Sequence, residues 1–314
     1  MTSTPVRAEN PPILGGAALS ITSVTSVQFG AALAAHLFGT AGPLGTVTLR
    51  LCGAAIVLVA IARPWRRRWT RSELLASAVF GAVFTAMNVS LYLAIDRLPL
   101  ATVITLEFLG PLAVSIVTAS NWATRVWVLP AGLGVAFLGG SLNGSDAVGI
   151  GFALGAACCW ATYIVLSGRL GRSGTGLAGL SLGCVVGSLI MAPIGAATAG
   201  TVLLRPDVLA LGLAVGVISS AIPYSLDLLA LRRLPTAVFG VLTSLNPGMA
   251  ALAGLVVLGE TVTGPTLVGV GLVMLASIGV TVTVTRSRRR RPVPLGVPQM
   301  VRSARVPGTR PTSV

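Results

Sequence analysis

The chain has 314 residues, of which 54% are apolar and only 10% charged, with a mean hydropathy of +0.89. A soluble domain carries about 25% charged residues, so too little polar surface is left here to cover a water-soluble fold of this size. The net charge is +14 and every one of the 22 basic residues is arginine; without lysine there is neither a Walker A phosphate loop nor a Schiff-base amine.

The apolar residues form long runs, and windows of about 19 residues predict ten spans. The first five cover 13–34, 43–62, 74–95, 100–118 and 125–141. The second five cover 147–167, 177–199, 208–230, 236–258 and 264–285. Most approach the length of about 20 residues that crosses the hydrocarbon, and the fifth is short. Unpaired backbone groups are not tolerated in lipid, so these are helices, and the alternating pattern of a barrel is missing. The expected fold is therefore an all-α integral membrane protein. Residues 1–12 precede it as a retained cytoplasmic N-terminus with no cleavage-site pattern. Residues 286–314, with eight arginines, five prolines and no acid, have the composition of a disordered tail.

Charge between the spans sets the expected orientation. With the N-terminus inside, nineteen arginines fall on the cytoplasmic side, among them Arg63, Arg66, Arg67, Arg68 and Arg71. Only Arg97 and Arg205 fall on the other side, while Arg50 lies within a span. This bias predicts both termini in the cytoplasm, in a plasma membrane. It also reads the basicity as contact with anionic lipid and not as a nucleic-acid surface.

The two halves repeat. At an offset of 136 residues Arg97-Leu98-Pro99 falls on Arg233-Leu234-Pro235, and Ala94, Ala101, Leu106, Leu109 and Pro111 fall on identical residues. The offset covers five spans, an odd number, so the repeats 13–141 and 142–285 are expected to be inverted in the membrane. Inverted repeats are a signature of secondary transporters with a substrate site near the midplane.

Pro111 and Pro247 occupy the same repeat position in the middle of spans four and nine. Each lacks an N–H and displaces the carbonyl four residues earlier, on Glu107 and Thr243. Two exposed acceptors at matching depths are therefore expected. Glu107 lies on the order of 10 Å deep, where an ionised carboxylate is costly unless it is paired or faces a cavity. It is the leading candidate for exchanging a proton with a substrate ammonium, with Arg50 either its ion-pair partner or the receiver of a substrate carboxylate. Asp227 is either a site residue or an interfacial partner of Arg232. Asn246 shares a face with Thr243; Gln28 and Asn88 are polar candidates of the same kind, and Trp160, Tyr163 and Tyr224 are candidate cavity aromatics. The spacings Gly183/Gly187, Gly212/Gly216 and Gly151/Gly155 suit close helix packing. Cys52, Cys158, Cys159 and Cys184 lie in spans without metal-ligand spacing, so neither a metal nor another cofactor is expected. With one histidine, His36, and eight acids, no nucleophile–base set emerges and catalysis is not expected.

The segments MNVSLYLAIDRLPLATVITLEFLGPLAVSI (87–116), GFALGAACCWATYIVLSGRLG (151–171) and SSAIPYSLDLLALRRLPTAVFGVLTSLNPGMAALAGLVVLGETVTG (219–264) resemble the EamA family of the drug/metabolite transporter superfamily. The resemblance is greatest to its threonine/homoserine exporters and runs through essentially all ten spans. It implies a carrier that exports small metabolites, by proton exchange, with Glu107 the acid of the first-half motif and Glu260 that of the loop motif. The chain departs from the family at Asn246, where an acid commonly precedes the second-half proline, and at Asp227, where the acid of span eight is usually glutamate. Drugs, purines or other metabolites are the alternative cargo. A membrane adaptor working through the arginine-rich tail is the alternative of another class.

Overall fold

The computed structural model describes residues 13–119, 122–141, 146–172 and 175–290. The N-terminal segment 1–12 and the tail from residue 291 onward lie outside the described residues. Among those described there is helix and no strand. Helices α1 (Ile13–Ala35), α2 (Phe38–Ala62), α3 (Arg71–Ile95) and α4 (Leu100–Thr118) are followed by α5 (Val128–Ser141), which has a single helical turn, Trp122–Arg125, before it. The second half contains α6 (Ala147–Arg172), α7 (Gly176–Ala199), α8 (Pro206–Leu231), α9 (Thr236–Leu258) and α10 (Gly264–Arg290). Among the described residues nine helices are long and apolar enough to cross a membrane, and the stretch holding α5, Trp122–Leu138, is shorter.

Local chemistry sets the boundaries. Thr70 and Glu73 form a reciprocal capping box that starts α3 after the arginine-rich bend. Asp146 accepts the Val148 and Gly149 N–H groups at 3.0 and 3.1 Å to start α6, and takes Arg97 at 2.7 Å. The Arg97 guanidinium and then the Gly149 N–H hold the Asp146 carboxyl below the usual carboxylate range. Pro99 and Pro235 stand directly before α4 and α9 with nearly the same backbone angles.

Both of these helices break in the middle. α4 is helical over Leu100–Glu107 and resumes at Leu109, whereas α9 is helical over Thr236–Thr243 and resumes at Asn246. The offset of 136 brings the first of these pieces onto the second, and Val128, the start of α5, onto Gly264, the start of α10. α8 carries a π-helical turn at Val217–Ala221, directly before Pro223.

Helices pair in a reciprocal pattern: α1 with α8 and α6 with α3, α2 with α7, α4 with α9, and α5 with α10. Missing side chains allow the closest approaches. A methyl group on Gly16 would lie 2.7 Å from Leu234 Cγ, and one on Gly149 would lie 2.9 Å from Leu98 Cγ. These are corresponding contacts, because Leu98 and Leu234 occupy one repeat position. A methyl group on Gly81 would meet the Gly183 carbonyl at 2.5 Å, between α3 and α7, and one on Gly216 would meet the Arg50 carbonyl at 2.3 Å, between α8 and α2. Gly187 and Gly212 are equally crowded, by Thr85 and by Leu49, so these spacings serve internal packing. Gly151 does not follow that expectation: it faces open space, and a methyl on Gly155 would only reach ordinary contact with Ser90.

The buried core contains Leu51, Leu58, Phe84, Tyr92, Leu100 and Val103. Leu129, Leu133 and Phe137 of α5 and Ile56 and Ile61 of α2 point outward and are exposed. An outward apolar belt around a packed interior is the reverse of a soluble surface.

Candidate functional site

A cavity of about 710 Å³ opens between the helices. All ten polar and aromatic residues singled out in the sequence line it. Gln28 comes from α1, Arg50 from α2, Asn88 from α3 and Glu107 from α4. Trp160 and Tyr163 come from α6, Tyr224 and Asp227 from α8, and Thr243 and Asn246 from α9. Pro111 also reaches the wall, whereas Pro247 is buried and does not. The lining extends to Ser167, Gly176, Leu177 and Leu231, at adjoining ends of α6, α7 and α8. At the opposite ends Leu37, Ala41, Leu49, Leu203 and Val208 are packed together.

Prolines free three carbonyls near this cavity, and the structure corrects the expectation that such acceptors stay open. The Thr243 carbonyl, displaced by Pro247, accepts the side-chain amide of Asn246 at 2.8 Å. The Asn246 Oδ1 in turn accepts Gln28 Nε2 at 2.7 Å, tying α9 to α1. The Ser219 carbonyl, four residues before Pro223, accepts Arg50 Nη2 at 3.3 Å. A side-chain donor therefore occupies each of these two vacancies. The third belongs to Glu107.

Arg50 is only 5% exposed. Its Nη1 donates to the Tyr92 hydroxyl at 3.0 Å and its Nε to Ser220 Oγ at 3.4 Å, with the guanidinium carbon 5.2 Å from the Tyr92 ring centre. Guanidinium has five N–H groups and these bonds use three. Two donors therefore remain, one on each terminal nitrogen. No ion pair joins Arg50 to Glu107 within 4.0 Å, because its neighbours already hold the arginine.

Glu107 closes the first helical piece of α4 and is 5% exposed. Among the described residues its carboxylate makes no hydrogen bond and no ion pair, and it faces the cavity. Asp227 also faces the cavity and is not paired with Arg232; its Oδ1 is buried without a partner. Gln28 Oε1 and Asn88 Oδ1 are left in the same condition, although Asn88 Nδ2 donates to the Phe84 carbonyl. Every one of these open positions is an acceptor. A buried acceptor without a donor is costly, so this part of the wall, unlike the Arg50 side, suits the N–H or O–H groups of a ligand.

Aromatic rings form one side. Tyr163 lies 4.8 Å from Phe80 and 6.0 Å from Phe84, Tyr224 lies 6.1 Å from Phe84, and Trp160 packs edge-on against Phe108 at 5.4 Å. The four cysteines are free, and among the described residues no cluster of three metal-ligating side chains occurs. Sequence reasoning passed over Tyr92, Ser219 and Ser220. A buried arginine demands such partners, and the Ser-Ser pair ahead of Pro223 was the available signal. Glu260 is not at the cavity: in the bend after α9 it accepts the Leu100 N–H. Burial pushes its carboxyl up, against the opposing pull of that N–H.

Known proteins resemble this chain in sequence and fold. The EamA-like transporter family profile matches residues 147–282. The threonine/homoserine exporter RhtA of Escherichia coli (strain K12) is 41% identical over 264 residues, covering 83% of this chain and 89% of that protein. RhtA of Salmonella typhimurium (strain SL1344) is 40% identical over the same length and coverage. A solved crystal structure, 20% identical, superposes with a TM-score of 0.61 over 86% of this chain and 98% of its own, a likeness of fold. With identity of this level running through both halves, the chain is a multi-pass membrane protein that belongs to the EamA-like transporter family.

Proposed function

We propose that this protein exports small hydroxylated amino acids, threonine or homoserine, in exchange for protons. The observation that carries this reading is the unpartnered Glu107 carboxylate, in a cavity that also holds a guanidinium with two free donors. An amino acid supplies an ammonium for Glu107 and a carboxylate for Arg50. Its hydroxyl suits the open acceptors on Gln28, Asn88 and Asp227. A carboxyl that alternately holds a proton and an ammonium links the two fluxes, because one occupant must leave before the other binds. The names of the RhtA relatives support the cargo and the direction.

The carrier works by alternating access between two inverted five-helix repeats, with ten spans and both termini in the cytoplasm of a plasma (inner) membrane. The reciprocal helix pairing and the matched breaks in α4 and α9 support that arrangement, and the arginine distribution supports the orientation. On this orientation the cavity opens to the cytoplasm. Arginine-rich segments contact anionic lipid there, with Trp65 exposed beside them. The second reading is a larger cargo, favoured by the 710 Å³ volume and the aromatic wall.

Counterflow in proteoliposomes, with labelled threonine, homoserine, other amino acids and nucleosides, decides between them. Threonine and homoserine are expected to exchange; exchange of nucleosides alone would transfer the site to the second reading. Glu107→Gln is expected to abolish export driven by a pH gradient, and to weaken threonine binding by roughly tenfold or more through loss of a charged contact. Export that stays pH-driven in this variant removes Glu107 from the coupling.

A further inference from the structure

Glu260 reaches from one half of the molecule to the other. Both of its carboxylate oxygens lie 3.0 Å from the N–H of Leu100, the first residue of α4. That N–H has no acceptor within its own helix, and a carboxylate there is favoured by the helix dipole and by a charge-assisted bond. The bend around Glu260 is shaped for this reach. Gly259 has a φ of 66°, the Glu260 N–H donates to the Gly254 carbonyl at 3.0 Å, and a side chain at Gly254 would collide with the carboxylate. From Leu100 the helix runs unbroken to Glu107. The clasped N–H and the cavity carboxylate thus sit on one rigid piece, about 10 Å apart along its axis.

The two ends of the bundle are chemically unequal. The cavity reaches the ends of α6, α7 and α8, whereas the Glu260 clasp lies at the opposite, packed end. By the repeat offset, Thr124 stands where Glu260 has its counterpart. Thr124 is buried and its hydroxyl has no partner. It carries no charge with which to hold a helix N-terminus.

We infer that Glu260 is a one-sided latch, whose carboxylate on the Leu100 N–H keeps the seam between α4 and α9 shut at the packed end. The protein then rests with its cavity open to the arginine-rich side. This rests on the alternating-access reading above. Release of Leu100 frees the piece of α4 that carries Glu107, so opening the latch and moving the cavity carboxylate are one event. A carrier that rests in this state is loaded from the cytoplasm first.

The test measures accessibility at both ends in a background without the four native cysteines. Ala101→Cys reports on the seam, because Ala101 is buried against Ala251 there. In right-side-out vesicles it should react slowly with an impermeant maleimide. Adding Glu260→Ala should raise that rate on the order of tenfold, as expected for loss of a bond to a charged group. Glu260→Gln, which keeps one acceptor oxygen, should raise it less. Leu180→Cys, on the cavity wall, should react more slowly in inside-out vesicles when Glu260→Ala is present. Unchanged rates overturn the latch, and so do rates that rise at both ends, the pattern of a loosened fold. Counterflow by the unsubstituted protein separates the two ideas: reciprocal labelling without counterflow keeps the latch and removes the transport reading, whereas counterflow without reciprocal labelling does the opposite.

Discussion

A buried arginine must be given partners, and at Arg50 they differ in kind: a phenol, a serine hydroxyl and a backbone carbonyl. None is charged. The guanidinium thus keeps its charge for a ligand instead of being neutralised by Glu107. Tyr92→Phe removes one acceptor and strands an N–H, at a cost of about 1–3 kcal/mol. It should lower the melting temperature in detergent, and should weaken threonine counterflow several-fold because the fork loses its alignment. Unchanged melting and affinity would mean that the tyrosine hydroxyl does not orient the arginine. At this scale much of the site could be read from the sequence. Polar side chains inside apolar runs are expensive in lipid, and those picked out for that reason all line the cavity. Their pairing could not be read, because the bonds from Gln28 to Asn246 and from Arg50 to Ser219 each span more than half the chain and depend on how the helices cross.

Prolines and glycines act at the scale of the element. Proline positions in the sequence announce where α4 and α9 break, since a missing N–H at the same repeat position has the same consequence in both halves. They do not announce what fills the vacancy, nor the π-helical turn ahead of Pro223, whose Ser219 carbonyl takes Arg50 from α2. Glycines of equal spacing likewise diverge. Gly216 lets α8 touch the backbone of α2, whereas Gly151 faces open space. Gly216→Ala should therefore destabilise the protein by about 1–3 kcal/mol through overpacking, while Gly151→Ala should leave stability unchanged or slightly raised. Thermal unfolding of the two variants in the same detergent checks this contrast. Equal melting temperatures would show that α2 and α8 can separate without cost.

For the whole molecule, composition and charge define the environment. The long apolar runs correspond closely to the helices, because hydrocarbon thickness imposes a length that sequence windows detect. The arginine count separates what anchors the protein from what works in it. Among the described residues one arginine, Arg50, lines the cavity. Truncation after Arg290 should accordingly leave threonine counterflow unchanged within about twofold, because on the proposed orientation the bend at 63–71 still supplies cytoplasmic arginines. Loss of counterflow in that variant would favour the adaptor reading.

The short fifth helix carries a further consequence for the surrounding lipid. α5 has 14 residues, and with the turn before it the apolar stretch Trp122–Leu138 spans about 26 Å of helix, against a hydrocarbon layer of about 30 Å. Its partner α10 is nearly twice as long, with 27 residues. On the ten-span reading, one flank of the protein meets the bilayer with unequal neighbours, and the lipid beside α5 must thin or the pair must tilt. The Leu129, Leu133 and Phe137 side chains are exposed on that flank. Bilayer thickness thereby becomes a mechanical load on one edge of the carrier, set by acyl-chain length and felt without any ligand entering the cavity.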